Sequence, residues 1–343
     1  MKVLVLTTRV PFIHGGAEEL RDHLVANLIR HGVDAEAMSI PFTWNPAERL
    51  LDEMWVARSI HVTNADRVIA LKFPAYLVPH HNKVLWVLHQ YRQAYDLWDA
   101  GQSNIPDTPR GLEIRQMIKG ADDRAFAEAQ AVYAGSPVSQ QRLRRYNGLE
   151  VPVLPAPLND PELFTGGPMD GYIFAGGRVG NAKRQKLLVR ALQHAPGVRL
   201  VIAGPPESPG EADELRRLAA ELGVESRVTL DLRFLTRPEL ATLVNNATAG
   251  VYIPFDEDSV GYVTMEAFQA GKPVITTTDS GGVLEIVKHE ETGLVAEPTP
   301  EALGAAFRAL SIPAKAASLG KAAQQLLEAR ELTWPATIAR LLS

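Results

Sequence analysis

The sequence contains no cysteine. A disulfide framework and thiolate-bound zinc are therefore both excluded. No run of about 18 apolar residues exists, so no segment has the composition of a membrane-spanning helix. The apolar run Val3–Leu6 is too short for the core of a secretory signal, and no small-residue cleavage site follows it. Basic residues form no block, and the net charge is -5, which argues against nucleic acid as the main partner. The G-x-G-x-x-G dinucleotide fingerprint and the G-x-x-x-x-G-K-S/T loop are missing. So are a G-x-S-x-G elbow and an H-E-x-x-H zinc motif. These absences point to a cytoplasmic protein without a nucleophile elbow or a metal-spaced histidine cluster.

What is present is a long alternation of short apolar runs and amphipathic segments. With 343 residues, of which 46% are hydrophobic, two domains are expected. Val3–Thr7 reads as a strand, Leu20, Leu24 and Leu28 as one face of a helix ended by Gly32, and Val33–Met38 as the next strand. That is a β-α-β unit, which calls for a parallel sheet. Val68–Leu71, Val84–Leu88, Ala131–Ala134 and Val151–Leu154 are further strand candidates. Asn159–Asp170, rich in Pro, Gly and Asp, reads as a linker. A second series begins at Tyr172–Ala175 and runs through Arg199–Ala203, Arg227–Leu230, Gly250–Ile253 and Pro273–Thr277, with helical patterns between. Its strands are almost continuously apolar, as when helices cover both faces of a sheet. The expected fold is α/β, with two Rossmann-like, doubly wound domains and a cleft between them: residues 1–165, residues 166–328, and a final segment 329–343. In such sheets ligands bind at the carboxyl ends of the strands.

Four segments sit at predicted strand ends. In Pro254–Glu266 the acids Asp258 and Glu266 are separated by seven residues, the first in a loop and the second a turn into a helix. Gly261, Tyr262 and Val263 lie at the helix start, where amide groups and the helix dipole favour an anion. Carboxylates suit sugar hydroxyls, because each accepts two hydrogen bonds. A simple helix cap is the plainer reading, and Asp256-Glu257-Asp258 also admits Mg²⁺. In Gly176-Gly177-Arg178 through Lys183, a guanidinium fork and an ammonium stand on a glycine-rich turn, fit to neutralise a diphosphate. A solvated basic turn is the alternative. His14-Gly15-Gly16 occupies the first strand–helix turn, as a weak ligand signal or a turn needing positive φ. His89-Gln90-Tyr91-Arg92 follows Val84–Leu88, and His89 there is a candidate to touch sugar hydroxyls or take a proton.

Taken in order, these motifs resemble the retaining GT-B glycosyltransferases of family 4, the group 1 glycosyltransferases. The resemblance rests on Gly15-Gly16-x-Glu18, Ser136, Arg178-x4-Lys183, and the acid-x7-acid segment running into Glu266-Ala-Phe-Gln-Ala-Gly-Lys-Pro-Val-Ile275. Gly281-Gly282, Thr292–Val295 and Leu332-Thr333-Trp334 extend it to nearly the whole chain. Asp258 stands where the family usually has Glu, and Arg184 where Gly often follows the Lys. The resemblance implies that Arg178 and Lys183 bind the donor diphosphate, that Glu266 holds the ribose, and that Asp258 contacts the donor sugar. Gly261, Tyr262, Val263, Gly15 and Gly16 would complete the donor site, and the base would meet backbone near Leu232–Phe234. His89, Tyr91 and Arg92 would line the acceptor side, with Arg178, Lys183, His89 and Asp258 carrying catalysis.

The implied reaction moves a sugar with retention from a UDP- or GDP-sugar to a hydroxyl of a glycan or lipid-linked acceptor, as in surface polysaccharide synthesis. No cofactor or metal is required, since the two cations supply positive charge. A nucleotide-sugar epimerase or hydrolase, or a non-catalytic nucleotide-sugar-binding subunit, are the competing expectations. Trp44, Trp55 and Trp98 admit an acceptor or peripheral membrane contact at the inner face, or plain core and surface roles.

Overall fold

A computed structural model describes residues 1–11 and 15–343, so His14 lies outside the described residues. The chain forms two compact units, Met1–Pro157 with Thr333–Ser343, and Leu158–Leu332.

The first unit runs β1 (Lys2–Arg9), α1 (Gly16–Arg30), β2 (Asp34–Pro41), α2 (Arg49–Ser59), β3 (Arg67–Ala70), β4 (Lys83–Val87), α3 (Asp96–Asp99), α4 (Pro109–Ala127), β5 (Ala131–Ala134) and α5 (Pro137–Asn147). Its parallel sheet has the order β2-β1-β3-β4-β5. Side chains alternate strictly across it. Val3, Val5, Val84 and Trp86 face a core shared with Leu20, Leu24 and Leu28 of α1. Leu6, Leu85 and Val87 face the opposite core, with Leu50 and Met54 of α2 and Ile114 and Ile118 of α4. Beside that second core, Asp122 of α4 is fully buried and accepts a 2.8 Å bond from the Tyr95 hydroxyl.

The second unit runs β6 (Tyr172–Gly176), α6 (Gln185–Ala191), β7 (Arg199–Ala203), α7 (Pro209–Glu221), β8 (Val228–Asp231), α8 (Arg237–Asn246), β9 (Ala249–Val251), α9 (Tyr262–Gln269), β10 (Val274–Thr277), β11 (Gly293–Ala296), α10 (Pro300–Leu310) and α11 (Pro313–Ala329). The order is β11-β10-β9-β6-β7-β8, all parallel. Ile173, Ala175, Leu200 and Ile202 face one core. Tyr172, Phe174, Val201 and Ala203 face the other. A last helix, α12 (Trp334–Leu342), packs in the first unit, where Trp334 meets Trp86 edge-on at 6.4 Å and Ile338 and Leu341 are buried.

Several helices start alike. Thr108, Ser136 and Thr299 each accept a bond from an amide three residues on, and each is followed by proline at the first helical position. Proline has no N–H there to leave unsatisfied. Two expectations need correction. Val151–Leu154 makes a single bridge, Ala134 to Val153, rather than a strand, because Pro152 and Pro155 remove donors on both sides. Residues 159–170, read as a linker, belong to the second unit, and Phe164 with neighbouring Leu158 is buried in its core.

Candidate functional site

In the second sheet the strand order reverses between β6 and β9. That switch point is where ligands bind in open α/β sheets. The loop after β6 carries Arg178 and Lys183, and the loop after β9 carries Asp258 and leads into α9 with Glu266. The two loops meet, with the Phe255 N–H donating to Ala182 O at 3.3 Å, and the end of β6 lies against the start of α9, where a Cβ on Gly176 would lie 3.1 Å from Cγ1 of Val263.

The turn after β6 is pinned to the turn after β7. Val179 donates to Pro205 O at 3.0 Å, and Glu207 donates to Val179 O at 2.8 Å. Gly204 has φ +136, and a Cβ there would sit 2.3 Å from Gly177 O, so only glycine permits this approach. Arg178 Nε lies 3.3 Å from Glu207 Oε1. Lys183 donates to the Tyr252 hydroxyl at 2.7 Å and is ion-paired with Glu257.

Arg184, next in the chain, has φ 56. Glycine takes that conformation without strain, whereas an arginine there needs compensation. Its guanidinium compensates. It donates to Ile253 O (2.7 Å), Pro254 O (2.8 Å), Thr277 Oγ1 (2.8 Å) and both Asp279 oxygens (2.8 Å each). Those bonds tie the Lys183 turn to the loops after β9 and β10, and they hold the Asp279 carboxyl below its ordinary range. The acid loop is fastened further by Asp256 N–H to Asp279 O (2.9 Å) and Gly282 N–H to Glu257 O (2.7 Å).

Asp258 and Glu266 are both buried, at 7% and 1% exposure. Gly261 has φ 74, and a Cβ there would meet the Tyr252 ring at 2.5 Å. It caps α9 without a side-chain acceptor. Glu266 accepts a 2.5 Å bond from Arg237 Nη1. Arg237 also donates to Asn159 O at 2.8 Å and to Asp160 at 3.3 Å, and it lies 5.1 Å over the Phe164 ring. Sequence reading missed Arg237. The available signal was the capping box Thr236…Glu239, which fixes Arg237 at the first position of α8. Glu207, Tyr252 and Glu257 were missed as partners too. Among the described residues, no three His, Asp or Glu side chains are grouped to hold a metal ion. Leu232–Phe234 form the connection from β8 to α8, with Phe234 66% exposed.

In the first unit, Gly15 is extended, at φ -161, so the positive-φ reading of that turn does not hold for it. Its N–H donates to Glu18 at 2.9 Å, and Gly16 opens α1. His89 is half-buried, with Nδ1 2.7 Å from Gln90 O. Tyr91 packs among Phe42 and Phe73 with its hydroxyl on Asn104, and burial pushes that phenol up to about 12. Arg92 donates to Asp96 at 2.7 Å, and Asp96 also meets Arg142 at 3.2 Å. Ser136 is the buried N-cap of α5. Trp98 packs partly against the core, while Trp44 and Trp55 are exposed.

The family profile described as "Glycosyl transferases group 1" matches residues 167–326. These residues are a group 1 glycosyltransferase domain. D-inositol 3-phosphate glycosyltransferases of Mycolicibacterium paratuberculosis and Mycobacterium avium are each 38% identical to the chain over 184 residues. Those matches take in 51% of this chain and 40% and 42% of the relatives, so the chain spans about two fifths of their length. Among solved structures, sucrose-phosphate synthase from Thermosynechococcus elongatus aligns with a TM-score of 0.77 at 19% identity, covering 99% of this chain and 97% of that one. Anabaena HepE in complex with UDP and glucose aligns at 0.73 and 20%, covering 100% and 99%. The fold is that of the GT-B glycosyltransferases, and the domain carries Arg178, Lys183, Asp258 and Glu266 within its matched residues.

Proposed function

We propose that the protein is a retaining glycosyltransferase that moves a sugar from a nucleoside-diphosphate sugar to a hydroxyl of a glycan or lipid-linked acceptor. The observation that carries this reading is the placement of Arg178 and Lys183 on the turn after β6, beside the start of α9 and buried Glu266. Two cations at a switch point, next to amides at a helix start, suit a diphosphate. In this reading Glu266 accepts from the ribose hydroxyls and Asp258 from the donor sugar. Gly261, Tyr262 and Val263 frame the phosphates. The HepE structures hold UDP or UDP-glucose, which favours a UDP-sugar here, with GDP-sugars the second choice.

The bond from the anomeric carbon to the diphosphate oxygen breaks as the bond to the acceptor oxygen forms on the same face. The acceptor proton passes to the departing phosphate oxygen, and Arg178 and Lys183 stabilise the charge growing there. No metal is needed for that step. His89 and Arg92, with Tyr91 behind them, are assigned to the acceptor. No helix among the described residues is long and apolar enough to cross a membrane. A cytoplasmic enzyme, peripheral at the inner membrane face when its acceptor is lipid-linked, accords with that.

A thermal-shift screen of UDP- and GDP-sugars tests the donor, because a ligand that binds only the folded state raises its stability by mass action. The donor that stabilises should then yield a glycoside with retained configuration. Donor hydrolysis that never yields a glycoside with any acceptor would overturn the reading.

A further inference from the structure

We infer that Tyr252 and Glu257 form an orienting seat for Lys183, leaving one N–H of its ammonium for a donor phosphate and moderating its hold on the released diphosphate. This rests on the reading of Lys183 as a diphosphate ligand.

An ammonium has three N–H donors on a stem that rotates freely, so a lysine is a poorly aimed charge unless something fixes it. Here the Tyr252 hydroxyl accepts one N–H at 2.7 Å and Glu257 accepts a second. The hydroxyl in turn donates to Glu257 at 3.1 Å, which closes a triangle of three groups. Among the described residues no third acceptor meets Lys183 Nζ, and the side chain keeps 22% exposure. One donor is therefore left, and its direction is set by the other two.

The seat is rigid on every side. Tyr252 is held by its N–H to Ile275 O at 2.9 Å and by the Thr276 hydroxyl to its own carbonyl at 2.8 Å. Its ring lies under Gly261, which leaves it no room to swing. Burial and the Glu257 charge hold the phenol proton on. Glu257 is fastened to the loop after β10 through Gly282. Arg184 ties down the turn that carries Lys183. The phenol that shares the lysine's carboxylate is half-buried.

The two partners act in opposite senses. The phenol is neutral, so it aims the ammonium without competing for it. Glu257 is a charged competitor for the same ammonium and so weakens any bound anion. Tyr252→Phe should weaken binding, because the lysine then leans on Glu257. Glu257→Gln should tighten it.

The test is calorimetric binding of inorganic pyrophosphate, with UDP in parallel, to the whole protein. Tyr252→Phe is expected to weaken pyrophosphate about fivefold and Glu257→Gln to tighten it about tenfold, the scale of one hydrogen bond and one partly screened charge. Each variant is repeated with Lys183→Ala, where both effects should vanish, since partners of one residue couple in a double-mutant cycle. Shifts of the same size with and without Lys183, or of the same sign in both variants, would overturn the seat. If Lys183→Ala alone leaves pyrophosphate and UDP binding unchanged, the diphosphate role of Lys183 fails first, and the seat with it.

Discussion

Arg237, the first residue of α8, binds buried Glu266 of α9 at 2.5 Å. The pair joins two helices of one unit, and through Asn159 and Asp160 it also ties down the segment that leads into β6.

Arg237→Met should therefore strand a carboxylate that is 1% exposed. The expected cost is about 1–3 kcal/mol, that of leaving a buried polar group short of a partner. It should appear as a lower urea midpoint with an unchanged slope. Glu266→Gln in the same chain should recover part of the loss. Equal midpoints for wild type and Arg237→Met would refute the role.

Arg178→Ala and Lys183→Ala should each lower turnover about 100- to 1,000-fold, the usual cost of removing one donor aimed at developing charge. Both side chains are partly exposed, at 34% and 22%. Their ion pairs should accordingly be worth less than about 1 kcal/mol to the fold. Steady-state kinetics beside a melting curve separates the two effects. Near-normal transfer by both variants would remove the cations from the mechanism.

Gly204→Ala tests the clasp between the turns after β6 and β7. The new Cβ would strike Gly177 O at 2.3 Å, in a backbone conformation at φ +136 that alanine resists. A destabilisation of about 1–3 kcal/mol is expected, together with a raised KM for the donor as the Arg178 turn is pushed aside. Gly197→Ala, also at positive φ but with nothing within 4 Å, should show only a fold penalty.

Asp122 should make stability fall as pH rises. Burial pushes its carboxyl up to about 7, against the pull of the Tyr95 hydroxyl, from an ordinary value of 3.8. Between those values the folded chain keeps a proton that the unfolded chain has lost. Unfolding free energy therefore declines from about pH 4 to about pH 7 and levels off above. Asp122→Asn should flatten that part of the profile. Melting temperatures of both proteins at pH 5 and pH 8 provide the comparison, and parallel profiles would count against it.

The alternation of strands and helices was legible because strands covered on both faces are short, nearly unbroken apolar runs such as Leu200–Ala203. Gly293–Ala296 was harder to read as a strand. It has only four residues, and Val295 and Ala296 are half-buried. Val151–Leu154 misled, since its apolar residues imitate a strand that its prolines cannot join. In the site, Arg178 with Lys183 and Asp258 with Glu266 stood out by spacing, each pair within its own segment. Their partners did not. Lys183 and Tyr252 are 69 residues apart, and Arg184 and Asp279 are 95 apart. Hydrophobic periodicity reports on neighbours along the chain, not on charges that folding brings together.

The packing of Trp334, Ile338 and Leu341 against the first sheet has a consequence for biosynthesis. The second unit is one uninterrupted stretch, Leu158–Leu332, and can close as soon as it leaves the ribosome. The first unit begins earlier but ends later, because its final helix is translated only after the second unit is complete. Until then the face of Trp86 that meets Trp334 stays uncovered. The half made first is thus the half finished last.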